Sequence, residues 1–414
     1  LFNITATDRI VNTSVAVFDN TASLAVRGFA NSGKRYNDYV SGNKGNVKSR
    51  CGYIYNSARK YTDNARYDGV LNEYVRFWKP SGVATACQMY RNVVVMNKGK
   101  DQNNMDTLPR NWMLGDSVIG YNTHNLPVES RTANGIVSSG IYGFNQTLPV
   151  FIAQNARQRE LAFYHFEDSK YFMPWVMQED GFTTSTLLYS GRRTAEPVTL
   201  STLTDYLRYG RRFTNYNDDY FYPGFTRSGN AHTGKYALQV SDNTKHLFIT
   251  NTSQLFSGKK YTLSYWLRNA NLSKPALGEV IIRCFNISQN QYINVTSLAS
   301  TQQILAGPID GWYKVEVEIG DPMTLVPSGN TPVYIGIKFA ANGQLLDDVR
   351  FAPTEAACIG YVFNPYTLRM MAQLDNNNYA TFYEYDAEGN MIRTKKETDR
   401  GIMTINENRK SNAK

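Results

Sequence analysis

Alternation of apolar and polar residues, the period-two signature of a strand half buried on a sheet, runs through most of the second half of this chain. In the stretch 261–267, Tyr261, Leu263, Tyr265 and Leu267 share one face. From Trp312 to Ile319, Tyr313, Val315, Val317 and Ile319 form one face and Lys314, Glu316 and Glu318 the other. A third run puts Val333, Ile335, Ile337 and Phe339 inward, and Val280-Ile281-Ile282 continuing to Phe285 predicts a more fully buried strand. Turn residues punctuate these runs at Pro308, Asp310-Gly311, Pro327-Ser328-Gly329-Asn330 and Asn342-Gly343. Strands of this length joined by short polar turns predict a mainly β protein with a β-sandwich at its centre.

The pattern breaks between about Met177 and Asn230. There, 202–208 predicts a short helix with Ser201 or Thr202 near its N-cap. The aromatic and polar stretch from Tyr216 to Phe225 then reads as a long insertion loop, and long loops in compact domains are often functional. In the first 150 residues short strands are expected around Val15–Phe18, Tyr53–Tyr55 and Arg91–Met96. From Tyr361 on, two or three hairpin strands and a polar tail are expected.

Composition narrows the function classes. With 414 residues, 42% hydrophobic and 19% charged, the chain is globular and long enough for two or three domains. Its 29 Tyr, 20 Phe and 5 Trp suit half-buried strands first, and sugar-stacking or protein-binding surfaces second. The net charge of +9 is spread along the chain, against the clustered basic stripe of a nucleic-acid binder. A milder attraction to anionic polysaccharide or an acidic partner fits better. Cys51, Cys87, Cys284 and Cys358 lack zinc-site spacing; Cys51–Cys87 and Cys284–Cys358 disulfides and free buried thiols both stay open. No apolar run is long enough to span a membrane, so direct membrane insertion is not expected. The start at Leu1 is neither a signal peptide nor an initiator Met, which predicts a processed or ordered part of a longer chain.

Three motifs carry a resemblance: Phe166-Glu167-Asp168, the run from Ala231 through His232-Thr233-Gly234-Lys235 to Leu238, and Leu345-Leu346-Asp347-Asp348-Val349. In order and separation they resemble the opening, His-Thr-Gly-Lys and closing strands of a carbohydrate-binding-module jelly roll, the galactose-binding-like fold. Tyr383-Glu384-Tyr385-Asp386-Ala387-Glu388-Gly389-Asn390 resembles a YD element of the RHS type, physically a strand, a tight turn and a return strand. Upstream, the run from Tyr121 through Asn134-Gly135-Ile136 and Ile141-Tyr142-Gly143 to Asn155-Ala156-Arg157 is similar to stretches that precede a jelly roll in large secreted RHS-like proteins of Bacteroidetes. The expected division is an RHS-like β-hairpin region at 1–160, a jelly roll at 161–353 with its insertion at about 177–230, and a YD-type hairpin with polar tail at 354–414. The resemblance implies an extracellular or cell-surface location.

It also implies a structural Ca²⁺ joining the opening strand to the closing one. Straight alternation puts Asp347 on the face of Val349 and Phe351, and Glu167 on that of Phe163 and His165; a carboxylate on a core face is costly unless paired or metal-bound. Glu167 and Asp347, with main-chain carbonyls near Thr233 or Lys235, would make an oxygen cage. The alternative is that Asp347 pairs with Arg350 or Lys235, or accepts backbone hydrogen bonds.

For sugar recognition the candidates are Tyr216, Tyr220, Phe221 and Tyr222, with Asp218 and Asp219 beside them, against a reading in which these rings fold back as a lid. No catalytic residue is assigned: His124, His165, His232 and His246 lie in no G-x-S-x-G, H-E-x-x-H or catalytic-cysteine context, and Gly33-Lys34 and Gly258-Lys259 lack P-loop spacing. The expected function is a non-catalytic, glycan-binding or adhesive module of a large surface protein. A subunit docking with other proteins in a surface or secretion-associated assembly is the alternative, and an RHS-type toxin carrier the third.

Overall fold

The computed structural model describes residues 14–19, 48–55, 78–80, 94–96, 99–100, 106–107 and 112–408, apart from 123, 145, 169–175, 179–224, 244, 253–254, 287–290, 296–301, 323, 327 and 329. Along the chain run β1 (Ser14–Asp19), β2 (Lys48–Tyr55), β3 (Trp78–Pro80), β4 (Val94–Met96), β5 (Gly99–Lys100) and β6 (Asp106–Thr107). Next come β7 (Trp112–Tyr121), β8 (Pro127–Thr132), β9 (Val137–Gly143) and β10 (Leu148–Gln154). The central region holds β11 (Ala162–Tyr164), β12 (Val176–Gln178), β13 (Phe225–Ser228), β14 (Ala237–Val240), β15 (Lys245–Asn251) and β16 (Tyr261–Asn269). It continues with β17 (Glu279–Asn286), β18 (Gln291–Val295), β19 (Gln302–Ile309), β20 (Trp312–Ile319), β21 (Asn330–Lys338) and β22 (Gln344–Pro353). The last strands are β23 (Ala357–Phe363), β24 (Met370–Leu374), β25 (Ala380–Tyr385), β26 (Met391–Thr398) and β27 (Gly401–Glu407).

The protein is mainly β, as the alternation predicts. The central strands form a sandwich of two antiparallel sheets. One has the order β13-β14-β22-β16-β20-β19, with β11 also paired to β22; the other is β12-β15-β21-β17-β18. Between them lie the alternating residues read from the sequence: Tyr261, Leu263, Tyr265 and Leu267 from β16, Val315, Val317 and Ile319 from β20, and Ile335 and Ile337 from β21. Each large apolar side chain buried this way contributes about 1.5–3 kcal/mol. At the β19–β20 hairpin Asp310 and Gly311 both take positive φ, 48° and 80°, the pair of angles that a two-residue turn matching strand twist requires.

The flanking regions build a third layer. An eleven-stranded sheet runs β1-β2-β7-β8-β9-β10-β23-β24-β25-β26-β27, and its middle joint pairs β10 with β23, Phe151 opposite Gly360. The sandwich is thus inserted between two strands that are neighbours in space. This layer packs on the outer face of the β22-containing sheet through two further clusters. One groups Phe151, Ala153, Cys358, Val362, Ala372 and Leu374 around Phe163, and the other groups Trp266, Trp312 and Leu345, with Tyr379 against them. The middle sheet is therefore covered on both faces, which explains why all ten residues of β22 are buried. Strand β11 shows the same division, with Ala162 and Tyr164 in the sandwich core and Phe163 stacked on Phe151 at 5.0 Å in the other.

Of the two readings left open for the cysteines, the free-thiol one is observed: Cys51, Cys284 and Cys358 are free thiols. Cys284 and Cys358 belong to different cores, separated by the middle sheet, so no bond between them can form. Burial pushes the Cys284 thiol up to about 11, where it is an inert packing group. Cys87 and the expected helix at 202–208 lie outside the described residues.

Candidate functional site

Strands β11 and β22 are antiparallel neighbours, with Tyr164 opposite Val349, and just beyond that pairing the chain concentrates its buried charge. The loop from Ala231 to Tyr236, entering β14, runs between two carboxylates. Glu167 Oε1 accepts the N–H groups of Lys235 at 2.5 Å and Tyr236 at 2.7 Å. Asp347 Oδ2 accepts those of His232 at 2.8 Å and Thr233 at 3.2 Å, and Asp347 Oδ1 accepts that of Asp348 at 2.8 Å. A loop without a strand partner thus satisfies its donors on Asp347 of β22 and on Glu167, which lies past the end of β11 at Tyr164 and not within a strand as the motif implied. Gly234, at φ 69°, makes the turn between the two pairs; a Cβ there would lie 2.3 Å from Glu167 Oε1.

Of the readings open for Asp347, acceptance of backbone hydrogen bonds is the one observed. Arg350 instead donates to the carbonyls of Asp375 and Asn376 at 2.9 and 2.6 Å. The expected place of Asp347 on the face of Val349 is corrected. Leu346 and Val349 both enter the sandwich core, so the alternation slips at Asp347-Asp348, where Asp348 takes φ 47° and the pairing with β16 shifts register between Ser264 and Trp266. This β-bulge re-aims Asp347 toward the loop.

Behind the loop, His232 bridges two layers. Its Nδ1 lies 2.7 Å from Asp348 Oδ2 and its Nε2 2.8 Å from Glu397 Oε1 on β26, and all three side chains are buried. Only an imidazolium donates from both nitrogens. Burial by itself would lower the His232 pKa, but the Glu397 charge and the hydrogen bonds to Asp348 and Glu397 outweigh it, raising it to about 9. The ring stacks on Trp266 with centroids 4.0 Å apart, and Trp266 Nε1 donates to the Asn378 carbonyl at 2.8 Å. Thr233 Oγ1 donates to Asp348, and Glu397 Oε2 accepts the Ala380 N–H at 2.9 Å.

The balance of charge at Glu167 and Asp347 is less complete. Burial pushes the Glu167 carboxyl up to about 7, against the backbone donors that favour its charged form. Burial and the neighbouring Asp348 charge raise Asp347 well above the usual carboxylate range. Glu167 Oε2 is buried and accepts no hydrogen bond. His165, two residues away, is held neutral: burial lowers it to about 4, and its Nδ1 accepts the Glu167 N–H at 3.3 Å. Among the described residues no group of three or more His, Cys, Asp or Glu side chains converges to hold a metal ion. The orphaned Glu167 oxygen is a buried acceptor without a donor, the kind of group that a hard cation would satisfy.

The remaining predicted site residues, Tyr216, Asp218, Asp219, Tyr220, Phe221 and Tyr222, lie outside the described residues. Sequence reasoning did not find Glu397, Trp266 or Asn378 as parts of the network. Each belongs to a strand or turn whose local pattern carries no trace of the loop it meets.

No protein-family model matches the chain, and no curated protein does. Among solved structures it is similar to the CBM22-1 xylan-binding domain of Paenibacillus barcinonensis Xyn10C, at 15% identity over 32% of this chain and 82% of that one, with a TM-score of 0.21. Another is the CBM22-1–GH10 portion of Clostridium thermocellum xylanase Xyn10B complexed with xylohexaose, at 10% identity over 32% of this chain and 25% of that one, TM-score 0.24. A third is the CBM22-1–CBM22-2 tandem of Paenibacillus barcinonensis Xyn10C, at 13% identity over 44% and 58%, TM-score 0.21. No residue of this chain takes a role from these likenesses; the sandwich assignment rests on its own strand pairing.

Proposed function

We propose that this chain is a non-catalytic binding module of an extracellular or cell-surface protein, with glycans as its ligand class. What supports this most is the state of its acid–base groups. His165, Glu167, His232, Asp347, Asp348 and Glu397 are buried and engaged in holding strands and layers together, leaving a rigid scaffold whose variable parts are loops. The ligand-binding platform in this reading is Tyr216, Tyr220, Phe221 and Tyr222 with Asp218 and Asp219, rings for stacking beside hydrogen-bonding carboxylates. The wider setting, a large RHS-like surface protein, rests on the motifs quoted from the sequence. Glycan microarray binding by the wild type, reduced at least tenfold in a Tyr220→Ala/Phe221→Ala variant, is the expected result. A wild type that retains no glycan, or a variant that binds as tightly, would end this reading.

A structural calcium belongs to the same proposal. Glu167 and Asp347 would be its side-chain ligands, with main-chain carbonyls near Thr233 and Lys235 supplying further oxygens; it would neutralise buried carboxylate charge and tie the opening strand to the closing one. No helix among the described residues is long and apolar enough to cross a membrane.

One observation favours the assembly reading alongside. Edge strand β27 leaves Ile402, Met403 and Ile405 exposed and carries neither Lys nor Pro, the residues that commonly blunt a free edge. Concentration-dependent self-association that Ile405→Lys abolishes is expected by sedimentation velocity; a strict monomer at high protein concentration would count against docking through this edge.

A further inference from the structure

Beside the seam, but on the surface, stands a second aromatic group that the loop platform does not include. Tyr366 is 72% exposed, the most of any large hydrophobic or aromatic side chain among the described residues. An exposed ring ordinarily moves freely; this one is tethered. Its hydroxyl hydrogen-bonds that of Tyr236 at 2.8 Å, and its turn is fixed by Asn364, whose Oδ1 accepts the N–H groups of Tyr366 at 2.9 Å and Thr367 at 3.1 Å. Tyr236 is anchored in turn. Its N–H is held by Glu167, and the Arg227 guanidinium lies 3.5 Å from its ring centroid. Arg227 Nη2 is itself locked onto the carbonyls of Phe166 and Glu167 at 2.9 and 3.0 Å. The exposed Lys235 Nζ sits 5.0 Å from the Tyr366 ring centroid, and among the described residues no carboxylate pairs with it. A preorganised ring, two hydroxyls at its rim and an unneutralised cation beside it are thus gathered where the Ala231–Tyr236 loop meets the β23–β24 turn.

We infer that Tyr366, Tyr236 and Lys235 form a second glycan contact that selects an anionic sugar. The apolar face of a pyranose ring would stack on Tyr366, its hydroxyls would exchange hydrogen bonds with the two tyrosine hydroxyls, and a carboxylate or sulfate on the sugar would pair with Lys235. The tethering matters because a platform already ordered loses little entropy when the ligand arrives. The cation gives preference more than affinity, and its contribution is screened by salt. This inference rests on the glycan-binding reading but not on the 216–222 loop.

Isothermal titration of the full chain with oligogalacturonate, with a sulfated galactan oligomer and with neutral xylo- and galacto-oligosaccharides is the test, repeated on Tyr366→Ala and Lys235→Gln. The wild type is expected to bind at least one anionic oligomer tenfold more tightly than the neutral ones. Tyr366→Ala should weaken that binding at least tenfold, and Lys235→Gln should abolish the preference and its salt dependence. Whether uronate or sulfate binds better identifies the anion. If glycans bind and both variants match the wild type, the inference is overturned while the binding-module reading stands. If no oligomer of either kind binds, both fall. Unchanged thermal midpoints in the two exposed-site variants confirm that any loss is local.

Discussion

His232→Ala should destabilise the protein by about 3–5 kcal/mol, the cost of leaving buried carboxylates without their cation. The imidazolium is the shared partner of Asp348 on the closing strand and Glu397 on β26, and both carboxylates are fully buried. Neither can turn to solvent, because Asp348 is also held by Thr233 and Glu397 by the Ala380 N–H. The substitution further removes the ring that fills the space against Trp266. A double variant, His232→Ala with Glu397→Gln, should lose less than the sum of the two single changes, since the second removes a charge the first has stranded. Urea unfolding monitored by tryptophan fluorescence reads this directly. A loss below about 1 kcal/mol for His232→Ala would mean that the bridge between layers is not a stabilising contact.

The second large effect concerns calcium. A ligand that binds only the folded chain stabilises it by about 2.7 kcal/mol at a free concentration a hundredfold above its dissociation constant. For a cooperative body of roughly 300 residues that corresponds to about 4 °C in the thermal midpoint. Millimolar calcium added to EDTA-treated protein should therefore raise the midpoint by that order, and magnesium, which demands stricter octahedral geometry, should do much less. Glu167→Gln is the decisive variant: the amide oxygen still accepts the Lys235 and Tyr236 N–H groups, but the anionic ligand is gone. It should respond to calcium weakly or not at all. An equal calcium shift in wild type and Glu167→Gln, or no shift in either, would remove the metal from this seam.

The sandwich was readable because its core obeys a local rule. Tyr261, Leu263, Tyr265 and Leu267 alternate in sequence and meet the same core, as do Val315, Val317 and Ile319. Val280, Ile281 and Ile282 read as buried throughout, and all three are. The strand–turn–strand at Tyr383–Asn390 was equally visible: β25 and β26 flank a turn in which Asp386 accepts the Gly389 and Asn390 N–H groups. The third layer left no such mark. Lys314 lies on the face that alternation assigns to solvent, yet it is buried with its ammonium 4.9 Å from the Tyr379 ring centroid. Burial pushes its pKa down, while Glu316 pulls the other way. A polar face covered by a segment distant in sequence looks the same, residue by residue, as one covered by water.

The site divides along the same line. Glu167 and Asp347 could be singled out because carboxylates amid apolar strands carry a cost that demands partners. The identity of those partners could not, since they are main-chain N–H groups of a loop 68 to 115 residues away. The bulge at Asp348 was hidden for another reason: one residue in the left-handed region reverses which side chains face the core, and Asp tolerates that angle better than most.

Amide hydrogen exchange of the loop entering β14 probes the seam itself. His232, Thr233, Lys235 and Tyr236 bond to two side-chain carboxylates and to no strand, so the account predicts exchange as slow as in the β22 core, with protection at Lys235 and Tyr236 alone collapsing in Glu167→Ala. Exchange of these four amides at the rate of an open loop in the wild type would contradict it.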